Sequence, residues 1–352
     1  MVAAPENYLT LYKGPGRGDF LNNTRDAGPF FDPVTKAWIV TNPEIAREML
    51  SSSNLVPALV VESQTLPDGL AERLAGIIDA CEHIPLFLSG ESHAVLRRRF
   101  SEQIASRRAE VSQWMEQDLP AYVEPFRRPG RFDVVAEVIE PMVRGLMQIV
   151  VGMTLPTDLE LIQTSLVFDK FSSVSRRARV ASMLTKLHNH VREVMGPEAT
   201  EEDVGVRFGL IVVARDATAG TFGESLVRLL SDANGRPLNQ IAFPKFAPQT
   251  GVPYVDRVAE AAFTAAGIAF ESGARFRIVL QTYSHSPPDQ HHRFFGAGLH
   301  SCVGRSTATE LWSGFGALLG HLSSCVRVLS YELEENNFVF NVAKRFEVEV
   351  TT

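Results

Sequence analysis

The stretch from Thr200 to Leu230 constrains this chain more than any other part of it. Thr200-Glu201-Glu202-Asp203 has the form of a capping box, with acids in a first turn where the helix dipole favours them. From Val204 to Leu230 there is no proline, and residues 208 to 214 are apolar almost all round. Helical throughout, the segment is about 40 Å long. A helix apolar on every side has to be surrounded by protein. The chain has the means: 352 residues, 45% of them hydrophobic, suffice for a large core. Gly205, Gly209, Gly220 and Gly223 work against helix propensity, so either a neighbouring element packs closely there or a ligand needs the backbone.

Around this segment the pattern is mostly helical. Asn42-Pro43-Glu44 opens a short helix carrying Ile45, Met49 and Leu50, after a β-rich Trp38-Ile39-Val40-Thr41. Residues 51–90, with Pro57, Pro67 and Pro85, read as loop with short helices. His93 to Leu119 reads as one helix, Arg127-Arg128-Pro129-Gly130 as a turn, and Val134 to Met147 as another helix. A stripe of Ala308, Leu311, Trp312, Phe315, Leu318, Leu319 and Leu322 marks a helix near the C-terminal end. Three strands are expected beyond it, at Val326–Tyr331, Phe338–Asn341 and Phe346–Val350. The expected fold class is mainly α with small β-sheets, in a single domain over 1–352.

A net charge of −7 argues against non-specific nucleic-acid binding. Residues 1–7 show no secretory pattern, and no apolar run is long enough to span a bilayer, so a cytoplasmic protein without a membrane partner is expected. Three cysteines, Cys81, Cys302 and Cys325, make neither a disulfide framework nor a structural zinc pattern. His188-x-His190 and His291-His292 have no carboxylate or cysteine at ligand spacing and read as surface histidines.

Chemistry concentrates in Phe295-Gly296-Ala297-Gly298-Leu299-His300-Ser301-Cys302-Val303-Gly304. Glycines let a tight loop aim backbone N–H groups at a sulfur. A helix start beside the cysteine favours the thiolate, which is the metal-binding form. The plain alternative is a glycine-rich turn around an inert cysteine. The segment resembles the heme-binding loop of the cytochrome P450 family, matching Phe-Gly-x-Gly-x-His-x-Cys-x-Gly at every fixed position. The resemblance implies a bound heme b (iron protoporphyrin IX), with Cys302 as iron ligand, Phe295 and Gly296 opening the loop, and His300 near a propionate. Asp32 to Val40 is similar to the family's first β-hairpin, and Gly90-Glu91-Ser92-His93-Ala94-Val95-Leu96-Arg97 to its C-helix. His93 and Arg97, four apart on one helix face, then join Arg257 of Val255-Asp256-Arg257-Val258-Ala259 as propionate partners.

The chain also departs from the family. Where the K-helix carries Glu-x-x-Arg, this sequence has Ala242-Phe243-Pro244-Lys245, and most of the meander is missing before Phe295, so a truncated form of the fold is expected. The acid–threonine pair that relays protons in dioxygen activation is incomplete. One register gives Ala217-Thr218 and the next gives Asp216-Ala217. Arg215 stands beside them, expected to pair with Asp216 or reach solvent rather than bind substrate.

The resemblance implies a heme-thiolate oxidoreductase that hydroxylates or otherwise oxidises an apolar small molecule, fed by a ferredoxin- or flavodoxin-type electron donor. Arg98, Arg99 and Arg305 form a basic face suited to such a donor. The broken pair at Asp216 and Thr218 motivates a second reading, an enzyme that uses peroxide or catalyses a redox-neutral rearrangement. Loss of Glu-x-x-Arg motivates a third, a non-catalytic helper of another enzyme.

Overall fold

Asn42 shows how local chemistry sets where elements begin. Its side-chain oxygen accepts from the N–H groups of Glu44 and Ile45, at 3.0 and 3.1 Å, and Pro43 fixes the first φ of the helix Pro43–Ser51. Met49 and Leu50 are buried along this helix, in line with the sequence pattern. The structure, a computed structural model, describes residues 17–58, 68–155, 166–169, 172–335, 337 and 339–351. It divides into two compact units, Met1–Leu59 with Val252–Cys302, and Val60–Gly251 with Val303–Thr352.

The first unit is built on a five-stranded sheet. Phe30–Asp32 and Ala37–Val40 form the antiparallel hairpin, with Phe30 opposite Ile39. Ala37–Val40 then runs parallel to Arg275–Val279, pairing Trp38 with Phe276. Tyr254–Ala259 lies antiparallel on the far side of Arg275–Val279, and Leu55–Pro57 closes the edge. Val40, Met49, Leu50, Phe270, Phe276, Ile278 and Leu280 form its main core. From Val279 the chain passes through short 3₁₀ turns, Leu280–His285 and Pro288–Phe295, straight into the cysteine loop. That short path agrees with the missing meander.

In the second unit the capping box works as expected. Thr200 Oγ1 accepts from Asp203 N–H at 3.1 Å, and the helix Glu201–Ala233 runs 33 residues, about 50 Å, to Asn234 in the left-handed conformation. Phe208, Leu210, Ile211, Val212, Phe222 and Leu226 are all buried. Its glycines answer to close packing. A Cβ on Gly220 would lie 2.5 Å from the carbonyl oxygen of Asn341, and one on Gly205 would lie 2.3 Å from His83 Nδ1. Helices Glu140–Val151 and Val174–Met195 pack on this long helix, as do strands Cys325–Leu333 and Ala343–Thr351, which are antiparallel to each other. Residues 241–251 contain no helix. Instead Trp312 of the helix Arg305–Leu319 donates its Nε1–H to Pro244 O at 2.9 Å.

Two expected elements differ. The helix from His93 is interrupted at Arg107, whose N–H turns to Ala105 O and Ile104 O, leaving Gly90–Ser106 and Arg108–Gln117 as separate helices. Val339–Asn341 is not a strand. The Asn337 side chain captures the N–H groups of Val339 and Phe340, at 3.1 and 3.0 Å, and turns the chain; Phe338 lies outside the described residues. Among the described residues no helix is long and apolar enough to cross a membrane.

Candidate functional site

In the first unit the candidate site grows out of the end of the 3₁₀ turn at Phe295. Gly296 and Gly298 adopt φ of +73° and +67°, conformations that side chains rarely take. A Cβ on Gly298 would also sit 2.7 Å from Leu50 O, so only glycine fits there. The loop doubles back until Cys302 N–H donates to Phe295 O at 2.8 Å. The result is an exposed Cys302 side chain, whereas Cys81 and Cys325 are half-buried. Burial pushes the Cys81 thiol up to about 12, so at neutral pH it is a protonated filler of the core. Phe295 and His300 flank the loop, both half-buried.

Arg257, on Tyr254–Ala259, is buried, and burial pulls its guanidinium down to about 10. It donates to the backbone oxygen of Asp256 at 2.9 Å. The Asp256 carboxylate is engaged elsewhere: Arg277 donates to both of its oxygens, at 2.9 and 3.2 Å, and lies 3.8 Å over the Tyr254 ring. Arg257 is therefore a buried cation whose acidic neighbour is bound by another arginine. Such a cation suits an added carboxylate, and the exposed thiol suits a metal ion, so the donor set of this unit fits heme.

The remaining sequence candidates lie in the second unit. His93 is buried and Arg97 half-buried, one turn apart on Gly90–Ser106. Arg98 is exposed, with Glu102 at 3.7 Å, and Arg99 pairs with Glu202. Arg215 resolves in favour of pairing. Its guanidinium donates to Asp216 Oδ1 at 2.6 Å and also binds Glu140, making a buried cluster of one arginine and two carboxylates. Asp216 is fully buried there. Thr218 donates its hydroxyl to Ala214 O at 2.7 Å, one turn back on the helix. The acid and the threonine are thus each held by a different partner.

Two histidine readings need correction. His291 is buried, with Nε2 3.0 Å from Ser286 O, and His188 is buried rather than on the surface. His188 stacks on His83, with ring centroids 5.4 Å apart and planes at 16°. Asp79 and His83, four residues apart at the end of one helix, were the available signal, but nothing local ties them to position 188.

No family model matches the chain, and no curated protein matches it. Solved structures do. The heme domain of Acinetobacter radioresistens CYP116B5 superposes with a TM-score of 0.75 at 15% identity, over 97% of this chain and 97% of that one. The P450 heme domain of Tepidiphilus thermophilus gives 0.73 at 17% identity, over 97% and 94%. P450BioI, solved with an acyl carrier protein bearing hexadec-9Z-enoic acid, gives 0.73 at 15% identity, over 97% and 99%.

Proposed function

We propose that this chain, which has the cytochrome P450 fold, is a heme-thiolate oxidoreductase acting on an apolar small molecule. The observation that carries the reading is the Cys302 loop. Two glycines in left-handed conformations and one return hydrogen bond hold a single exposed thiol at the end of the first unit. In this reading Cys302 supplies the thiolate, and Arg257 and His300 bind propionate carboxylates. His93 and Arg97 carry the family's other propionate positions. Thiolate-ligated heme, when bound, supplies redox chemistry at iron, oxygen activation included. Electrons would come from a ferredoxin- or flavodoxin-type donor.

The test is the absorption spectrum of the reduced protein under carbon monoxide, which reports the axial ligand. Wild type, Cys81→Ala and Cys325→Ala should share a thiolate-type Soret band, and Cys302→Ala should lose it. A thiolate band surviving in Cys302→Ala would refute the assignment.

One observation favours a second reading. Asp216 is bound by Arg215, and the Thr218 hydroxyl is bound to Ala214 O, so neither is poised as the family's proton relay. An enzyme that takes peroxide, or that rearranges its substrate without net redox change, has no need of that relay. Reductant-independent turnover would distinguish it from the first.

A further inference from the structure

We infer that Asp79, His83 and His188, with Glu201 beside them, form a binding site for a divalent transition-metal ion of the zinc class, independent of the cysteine loop. One ligand atom from each of Asp79, His83 and His188 lies within 4.8 Å of the others. Asp79 lies on the helix Ala75–Glu82 and His83 is the residue that caps its C-terminal end, four positions on, with Asp79 Oδ1 3.8 Å from His83 Nε2. His188 reaches the cluster from Val174–Met195, and Glu201 from the first residue of the long helix.

The histidines are presented rather than merely near one another. Phe208 meets both rings edge to face, at 6.1 Å for His83 and 5.1 Å for His188. Gly205 leaves the space that the His83 ring occupies. His188 Nε2 is closed off from solvent and makes no hydrogen bond, although Glu201 Oε1 is 3.3 Å away. Two ligands on a tetrahedral zinc, bonded at 2.0–2.1 Å, stand about 3.3 Å apart. Arg192 binds the other carboxylate oxygen of Glu201, leaving Oε1 turned toward His188. Asp79 and Glu201 are about half exposed, giving an ion a way in and letting their side chains rotate to close the set. Two imidazoles and two carboxylates suit zinc or its neighbours better than magnesium, which prefers an all-oxygen octahedron.

The experiment is zinc titration of the chelator-treated full chain by calorimetry, alongside thermal melts. Wild type should bind one zinc through this site and melt at a higher temperature with zinc but not with magnesium. His83→Ala and His188→Ala should each weaken that affinity by about tenfold or more. Asp79→Asn, a conservative change at a half-exposed position, tests the site without threatening the fold. Cys302→Ala and His190→Ala should keep wild-type zinc affinity, which separates this site from the thiolate. Absence of zinc binding in wild type would overturn the inference, as would equal affinity in wild type, Asp79→Asn and His188→Ala.

Discussion

Arg215 is the residue whose removal should be felt most widely. It is buried, and its single positive charge is shared between Asp216 and Glu140. Breaking a buried ion pair from one side costs about 3–5 kcal/mol, because a charge is left without its partner. Arg215→Ala should therefore lower the melting temperature sharply, and Arg215→Ala with Asp216→Asn should recover part of the loss. If the double variant is no more stable than the single, the cluster is not coupled as described. Thr218→Ala removes a hydroxyl bonded to its own helix, so stability should barely change. With a reductant-driven substrate in hand, product formed per reductant consumed should fall if Thr218 serves a proton path, and stay level if the second reading holds. Arg257→Ala removes a charge-assisted donor worth about 1.5–3 kcal/mol. Heme should transfer to a heme-free acceptor globin roughly tenfold faster from that variant or from Arg97→Ala than from wild type. Cys81 carries a pH dependence of its own. Cys81 is neutral in the folded state until pH approaches about 12, against an ordinary value of 9.0. Its contribution to stability is full below pH 9.0 and is lost as pH rises toward about 12. Cys81→Ala should flatten the alkaline limb of a stability profile in that window.

At the level of elements, the glycines of the long helix make a graded series. Gly220→Ala sets a Cβ against the backbone of Asn341, which cannot rotate away, so destabilisation of about 1–3 kcal/mol should outweigh the gain in helix propensity. Gly314→Ala, on Arg305–Leu319, meets only the end of the Leu119 side chain at 3.3 Å and should be neutral or mildly stabilising. Paired melts of the two variants check the ordering, and equal shifts would contradict it. The long helix was legible from its cap to Leu230, three residues short of its end at Ala233, because capping and apolar spacing are local signals. The Cys302 loop was legible for the same reason, since its glycines and cysteine are contiguous. The glycines' packing partners were not, because Asn341 lies some 120 residues away from Gly220. The interruption at Arg107 has neither glycine nor proline to announce it. Val339–Asn341 has strand-forming composition, but one upstream asparagine side chain takes the N–H groups that a strand would have used. The Asp79, His83 and His188 cluster depends on two helices meeting, and spacing along the chain cannot show that.

For the whole molecule, charge sets a further expectation. The net charge is −7, yet Arg98 and Arg305 are exposed, so an acidic electron donor has basic groups to approach on an otherwise acidic protein. Arg98→Glu should slow reduction by a ferredoxin-type donor, and rising salt should slow wild type toward the variant. Stopped-flow reduction at two ionic strengths measures both effects, and a salt-independent difference would exclude steering through Arg98. Mainly helical architecture with small sheets was readable from composition and periodicity. The pairing of distant strands was not, because sheet partners leave no local trace. That pairing matters before the protein is finished. Ala37–Val40 lies between Phe30–Asp32, made moments earlier, and Arg275–Val279, made about 240 residues later. At roughly 5–20 residues per second, the ribosome takes about 12–50 s to deliver the second neighbour. Throughout that interval Ile39 and Val40, wholly buried in the mature chain, belong to a hairpin with one bare edge. Nascent chains arrested short of Tyr254 should be cut readily around residues 30–40. Chains long enough for Val279 to clear the exit tunnel should resist. The N-terminal hairpin is thus begun early and completed late, and any chaperone that guards this protein during synthesis should be found on it.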